Sequence, residues 1–478
     1  MNSVKKNYLY NLVYQVLAII IPIITTPYVS RTLGATALGD YSYTFGIVTY
    51  FGILVLTGTQ SFGQREIASR KSNDYEKSKT FFEILLFRVI CFLIVILFYI
   101  GFISFAANQY RTLYTIHIIT FFSWILDISW YYQGIENFRY IVVRNSIVKI
   151  IATCLIFIIV KSPNDLYKYA LILVGSSFLG NCTFWMRIRR EIVSVRLIDI
   201  HVFNNFKGIM ELFIPVVAVQ VYTVLDQTMI GALDNTTEVG YYSQGEKVIK
   251  LSLMIISSLS VVLLPRVSTL FTNKKLDEIQ GLFAKGMSFI FVLADPMLVG
   301  CIVISPLFVP IFYGNGFEPV VNILRVLSFL FIILSVGQVC GSFLVAIHKQ
   351  NVYSKAVISA AIVNVILNFF LIYSLRMGAI GAAIGTIAAE TTSTLIQIMG
   401  VKQLFKPKII LHTFVRYLIP SSIMGVVLYM IMKILPVNVL GLLIAFFSSL
   451  ITYLIVLVII KDNTIMEIFS LAKGRIKK

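Results

Sequence analysis

The run Phe81-Phe-Glu-Ile-Leu-Leu-Phe-Arg-Val-Ile-Cys-Phe-Leu-Ile-Val-Ile-Leu-Phe-Tyr-Ile-Gly-Phe-Ile-Ser-Phe-Ala-Ala107 carries only two charged side chains, Glu83 and Arg88. A helix of about 20 mostly apolar residues crosses the hydrocarbon core of a bilayer, so this stretch reads as a membrane span. The same ruler finds two spans before it, Tyr8–Val29 and Tyr41–Gly63. After it come Tyr114–Tyr132, Tyr140–Val160, Tyr167–Met186, Ile209–Leu233, Val239–Leu264 and Gly286–Phe312. The series closes with Val320–Ala346, Tyr353–Leu375, Gly378–Gly400, Thr413–Ile434 and Val439–Ile460, about fourteen spans in all. The first span continues to Val29 with no small-residue cleavage site before the polar turn, so it reads as retained rather than as a signal peptide.

Composition agrees. The 478 residues are 58% hydrophobic and 13% charged, and mean hydropathy is +0.87. Soluble domains are about half apolar and about a quarter charged, which excludes soluble enzymes, secreted modules and disordered regulators. The net charge of +18, from 40 Lys and Arg against 22 Asp and Glu, would suggest nucleic acid on a soluble chain. Here the basic residues gather in Arg65–Lys79, Arg187–Lys207, Arg266–Lys285 and the tail ending Lys477–Lys478. Cytoplasmic termini put all four segments on the inner side, as the positive-inside rule requires. The charge therefore reports topology, and no nucleic-acid partner is expected. Five scattered cysteines and four single histidines, His117, His201, His348 and His412, offer neither a disulfide framework nor a metal site. Walker-type GxxxxGK[ST], HExxH and GxSxG motifs are absent. No cofactor and no catalytic residue is expected, and the links are too short for a soluble catalytic domain.

Two links resemble each other. Ser30-Arg-Thr-Leu-Gly-Ala-Thr-Ala-Leu-Gly-Asp-Tyr-Ser42 follows the first span, and Ile230-Gly-Ala-Leu-Asp-Asn-Thr-Thr-Glu-Val-Gly-Tyr-Tyr-Ser243 follows the seventh. An even number of spans separates them, so the duplication predicts two parallel six-helix lobes. Residues 1–200 form the first lobe in this division, 201–405 the second, and 406–478 two extra spans with a basic cytoplasmic tail. Two lobes of this kind make a transporter plan, with the substrate expected near the midplane between them. Pro22 and Pro27 in the first span, Pro215 in the seventh and Pro296 in the ninth are expected sites of helix bending.

An ionisable group inside a span costs a few kcal/mol and so faces a partner or a wet cavity. The basic candidates are Arg88, Lys149, Lys247, Lys250 and Arg325; the acidic ones include Asp127, Asp226, Asp295 and Glu390. Glu246 and Lys250 are spaced to pair on one helix face, leaving Lys247 available. Ser123, Asp127 and Tyr131, the trio Gln220, Thr223 and Gln227, and the pair Asn364 and Asn368 form polar stripes. Such stripes line wet cavities or join helices by hydrogen bonds. Gly378, Gly381 and Gly385 permit close helix approach.

Pro27-Tyr-Val-Ser-Arg-Thr-Leu-Gly34 with Gly39-Asp-Tyr-Ser42, Gln64-Arg-Glu-Ile-Ala68 and Trp130-Tyr-Tyr-Gln-Gly-Ile-Glu136 resemble the Wzx-type polysaccharide and O-antigen flippases. So do Asp226-Gln-Thr-Met-Ile-Gly231 into Gly240-Tyr-Tyr-Ser243, and Gly378-Ala-Ile-Gly-Ala-Ala-Ile-Gly385 with Glu390. These flippases belong to the multidrug/oligosaccharidyl-lipid/polysaccharide (MOP) exporter superfamily, and the resemblance covers essentially the whole chain. It implies an all-α, MATE-like fold in the bacterial cytoplasmic membrane. The implied activity is transfer of an undecaprenyl-pyrophosphate-linked oligosaccharide for O-antigen, capsule or exopolysaccharide synthesis. Membrane lipids, a polysaccharide polymerase and chain-length machinery are the implied partners. A diphosphate needs cationic ligands, for which Arg31, Arg88, Lys149, Lys247, Lys250 and Arg325 are the candidates. Asp127, Asp226 and Glu390 are candidates for a coupling cation. Three alternatives remain: a lipid II flippase, a cation-coupled multidrug exporter and a polysaccharide polymerase or ligase. The first would need more bases in the first two spans, where Arg31 stands alone; the last would need a sizeable external loop.

Overall fold

In the computed structural model, residues 3–106, 108–403, 405 and 408–466 are described. The final twelve residues of the basic tail lie outside them. Sixteen α-helices and no strand occur among the described residues. In chain order the first eight are α1 (Ser3–Leu56), α2 (Thr59–Ser69), α3 (Asp74–Phe105), α4 (Asn108–Leu126), α5 (Ser129–Gly134), α6 (Phe138–Ile159), α7 (Leu166–Ile188) and α8 (Phe206–Leu233). They continue as α9 (Thr236–Thr272), α10 (Leu276–Phe312), α11 (Val320–Leu327), α12 (Leu330–Ala346), α13 (Gln350–Asn368), α14 (Gly378–Val401), α15 (Lys408–Met432) and α16 (Val439–Ile459).

Among the described residues, 11 helical stretches are long and apolar enough to cross a membrane. The first of them, Tyr14–Ser69, takes in most of the first expected span and all of the second. α8 and α9 coincide with the seventh and eighth. Each expected span thus falls on helix, the fourth with a break at Asp127 and Ile128, and the chain is an all-α, multi-pass membrane protein. Its outer faces fit that solvent: Leu97, Phe98, Ile158 and Leu411 are exposed apolar side chains on helices.

The polar link after the first span is not an open turn. α1 stays helical through Pro22 and Pro27 and breaks only at Gly34, with φ 79° and ψ 173°. That backbone region is essentially closed to residues with a Cβ. The helix therefore redirects at one glycine, while the backbone at both prolines keeps helical φ/ψ. Pro215 has its side chain outside the described set.

Contacts divide the chain into two units, Met1–Gly231 and Ala232–Lys478. The first is held by aromatic residues. Phe81 stacks on Trp130 at 5.5 Å, and Phe62, Phe87, Tyr131, Tyr132 and Phe184 complete that core. A second cluster places Tyr99 4.4 Å from Phe121, beside Val48, Val55 and Phe92. In the second unit α13 lies tightly on α14. A Cβ at Gly385 would sit 2.1 Å from the Asn368 Oδ1, so the small-residue stripe serves close packing there. α15 and α16 pack on α10 through Leu307, Leu428 and Ala445.

Candidate functional site

In the first unit Arg88 and Asp127 are brought together, but through the backbone. The sequence ahead of α5 breaks helix between Leu126 and Ser129, and there the Asp127 Oδ1 accepts from the Ser129 N–H at 2.9 Å. The Asp127 carbonyl itself faces α3. Arg88, 1% exposed, donates to this carbonyl at 2.5 Å and to that of Trp124 at 3.4 Å. Its Nε and Nη2 donate to the Thr59 Oγ1 at 3.0 and 2.7 Å. The guanidinium thereby joins α2, α3 and the α4–α5 break. A buried cation with its donors satisfied by protein acceptors is well suited to fastening helices.

Lys149 on α6 is half-buried, with its ammonium 4.7 Å from the centre of the Tyr14 ring on α1. A cation over an aromatic face is attracted to it electrostatically. Arg31, just before the Gly34 break, is exposed. Asp226 near the end of α8 is buried and within electrostatic reach of Tyr50. The Tyr50 hydroxyl in turn shares a 2.8 Å hydrogen bond with Thr228.

The stripe on α4 and α5 proves to join helices. The Asn181 amide donates to the Ser123 carbonyl at 2.8 Å and to its hydroxyl at 3.0 Å, and the Tyr131 hydroxyl donates to the Glu191 carbonyl at 3.3 Å. Arg144, one turn and a residue before Lys149 on α6, is a half-buried base that is absent from the sequence candidates. It donates to the Gly180 carbonyl at 2.7 Å and the Asn181 Oδ1 at 2.7 Å, and lies 4.3 Å over the Phe184 ring. Its position four residues inside an apolar run was the available signal.

In the second unit the helical spacing on α9 acts as expected. Lys250 pairs with Glu246 at 2.7 Å. Lys247, half-buried on the same helix, has no ion-pair partner among the described residues. Arg325 closes α11, exposed, and reaches the Ile302 carbonyl at 3.3 Å and the Asn322 Oδ1 at 3.4 Å. Glu390 on α14 is half-buried and within electrostatic reach of Tyr353. Asn364 and Asn368 are fully buried and bonded to each other at 3.2 Å. Tyr242 shares a 3.0 Å hydrogen bond with Thr386. The candidates thus fall into two groups: Arg31, Arg88, Asp127, Lys149 and Asp226 in one unit, and Lys247, Lys250, Arg325 and Glu390 in the other.

Residues 4–271 match the family described as polysaccharide biosynthesis protein. A candidate O-antigen transporter of Escherichia coli (strain K12) is 21% identical over 412 residues, 84% of this chain and 97% of that protein. Among solved structures, the inward closed conformation of the lipid II flippase MurJ aligns with a TM-score of 0.75 at 20% identity. That alignment covers 95% of this chain and 99% of the other. An inward-facing multidrug resistance transporter of the MATE family, in the MOP superfamily, aligns with a TM-score of 0.60 at 14% identity, over 81% and 98% of the two chains.

Proposed function

Because the chain belongs to the polysaccharide biosynthesis protein family, we propose that it is a flippase for a lipid-linked oligosaccharide. The substrate in this proposal is an undecaprenyl-pyrophosphate-linked repeat unit, carried from the cytoplasmic to the outer leaflet of a bacterial cytoplasmic membrane. The termini face the cytoplasm, and the product feeds a polysaccharide polymerase with its chain-length machinery. The family match over more than half the chain is the observation that carries the proposal. Two other facts support it: the E. coli relative is described as a candidate O-antigen transporter, and the fold is shared with transporters.

The chemistry is that of a carrier, with no covalent step. A glycolipid of this class presents a diphosphate, which cations must neutralise while the sugar leaves the water phase. Lys247 is the foremost candidate in the second unit, because its ammonium is half-buried and Glu246 is engaged by Lys250. Lys149 is its counterpart in the first, half-buried with its ammonium over the Tyr14 ring. Arg31, Lys250 and Arg325, all exposed, would meet the headgroup as it enters or leaves. Arg88 would act by holding the framework. Asp226 and Glu390 are the acids proposed to bind a coupling cation, while Asp127, its carboxylate bonded to the Ser129 N–H, acts on that binding indirectly.

The test is reconstitution in liposomes with an undecaprenyl-pyrophosphate oligosaccharide, followed by the rate at which it reaches the opposite leaflet. Flipping that falls at least tenfold in Lys247→Ala and recovers in part in Lys247→Arg supports the function and the site. Flipping that ignores both changes removes Lys247 from the site. Movement of a drug cation in place of the glycolipid would refute the function and favour a multidrug exporter.

A further inference from the structure

Asp295 lies in the middle of α10, within an apolar span, and is 0% exposed. Neither of its carboxylate oxygens has a hydrogen-bond partner among the described residues. The helices beside it are α15 and α16. From α16 the Tyr453 hydroxyl donates to the Val292 carbonyl at 3.0 Å, one turn of α10 before Asp295, and has Asp295 among its electrostatic neighbours. Ser421 on α15, Tyr417 and Asp462 are its other electrostatic neighbours.

Beyond Tyr453 the polar groups continue toward the end of α16. Ser421, fully buried, donates to the Tyr417 carbonyl at 2.8 Å. The Tyr417 hydroxyl donates to the Asp462 Oδ1 at 3.2 Å and shares a 2.9 Å hydrogen bond with Thr464. Asp462 is in turn paired with Arg416 at 2.6 Å, the carboxylate side chain 0% and the arginine side chain 37% exposed. The sealed carboxyl therefore shares its corner of the unit with the hydroxyls of Tyr453, Ser421 and Tyr417, and the last of these is bonded to an ion pair whose arginine is partly exposed.

The other ionisable groups on helices packed against α10 include Lys247 and Lys250 on α9, Arg325 on α11 and Cys340 on α12. None forms a hydrogen bond or ion pair with Asp295 among the described residues. A carboxylate taken into an apolar interior without a partner costs many times more than the neutral acid. An acid in this position holds a proton unless something compensates its charge.

We propose that Asp295 is a proton-binding site of the second unit, exchanging its proton through Tyr453 and Tyr417 with Asp462. In the releasing direction the Asp295 acid gives its proton to the Tyr453 oxygen while the Tyr453 O–H turns from the Val292 carbonyl and passes its own proton to Tyr417. The Tyr417 proton moves along its existing hydrogen bond to the Asp462 carboxylate. One proton leaves Asp295, one arrives at Asp462, and both tyrosines end neutral. This site differs from Asp226 and Glu390 in needing α15 and α16, and it stands whatever substrate the protein carries.

The test uses the full chain in lipid vesicles, without substrate, and infrared difference spectra across a pH titration. At neutral pH the wild-type protein should show a protonated-carboxyl band that is lost in Asp295→Asn and shifted, not lost, in Asp295→Glu. A wild-type spectrum without such a band, or one unchanged in both variants, overturns the site. The wild-type measurement remains decisive even where Asp295→Asn fails to fold. Transfer into deuterated buffer reads the route: exchange of the band should slow in Tyr453→Phe, and an unchanged rate overturns the tyrosine path.

Discussion

Arg88 offers a sharp test of how a buried cation is used in this protein. Replacing it by Met keeps most of the volume and removes the guanidinium that joins Thr59, Trp124 and Asp127. Two of its bonds are short, 2.5 Å to the Asp127 carbonyl and 2.7 Å to the Thr59 hydroxyl. Bonds to a charged donor contribute about 1.5–3 kcal/mol each, so their loss removes roughly 3–6 kcal/mol. Relief of the desolvation of a buried charge offsets part of this, leaving a net destabilisation of about 3 kcal/mol. At about 2 °C per kcal/mol for a unit of this size, the midpoint should fall by roughly 6 °C.

The assay is thermal loss of monodispersity in detergent, read by size-exclusion fluorescence, with glycolipid flipping measured well below the midpoint. Arg88→Lys should fall between wild type and Arg88→Met, because one ammonium cannot serve Thr59 and the Asp127 carbonyl with the geometry of a guanidinium. A wild-type midpoint in Arg88→Met, combined with lost flipping, would refute the fastening role and place Arg88 on the substrate. A lowered midpoint with flipping retained in the folded fraction is the expected result.

Three further outcomes follow from the same structure. Gly34→Ala forces a Cβ onto a backbone at φ 79° and should cost about 1–3 kcal/mol, seen as a lower melting midpoint; an unchanged midpoint would mean that α1 straightens without penalty. Gly385→Leu drives side-chain atoms against Asn368 and should cost about 1–3 kcal/mol from overpacking, and a midpoint equal to wild type would contradict the α13–α14 contact. Lys250→Ala breaks an i,i+4 pair whose lysine side chain is 54% exposed; such pairs contribute about 0.2–0.5 kcal/mol. Stability should therefore stay near wild type, and a large fall in the midpoint would show that Lys250 holds more than Glu246.

The spans and the family were open to view in the chain because hydropathy is a local property. Any apolar run long enough to cross the bilayer must satisfy its own backbone as helix, so Phe81–Ala107 and its companions required no tertiary information. The Glu246–Lys250 pair was legible for the same reason, since both residues sit on one helix with fixed pitch. Arg144 carried the same local signal as Lys149, a base inside an apolar run, and was visible on that criterion. Other features depended on partners distant in sequence. Whether the Ser123, Asp127 and Tyr131 stripe faced water or a neighbour could be settled only by the arrival of Asn181 and Glu191 beside it.

The sequence alone determined that this chain lives in a membrane, which stretches span it, and that it resembles the polysaccharide flippases. It also located the buried charges, because an ionisable residue in an apolar run is conspicuous without coordinates. Tertiary structure decided what each charge meets: carbonyls and a hydroxyl for Arg88, an aromatic face for Lys149, and no hydrogen-bond partner for Asp295 among the described residues. Helix formation depends on neighbours within one turn, whereas the state of a buried charge depends on whichever helices pack around it.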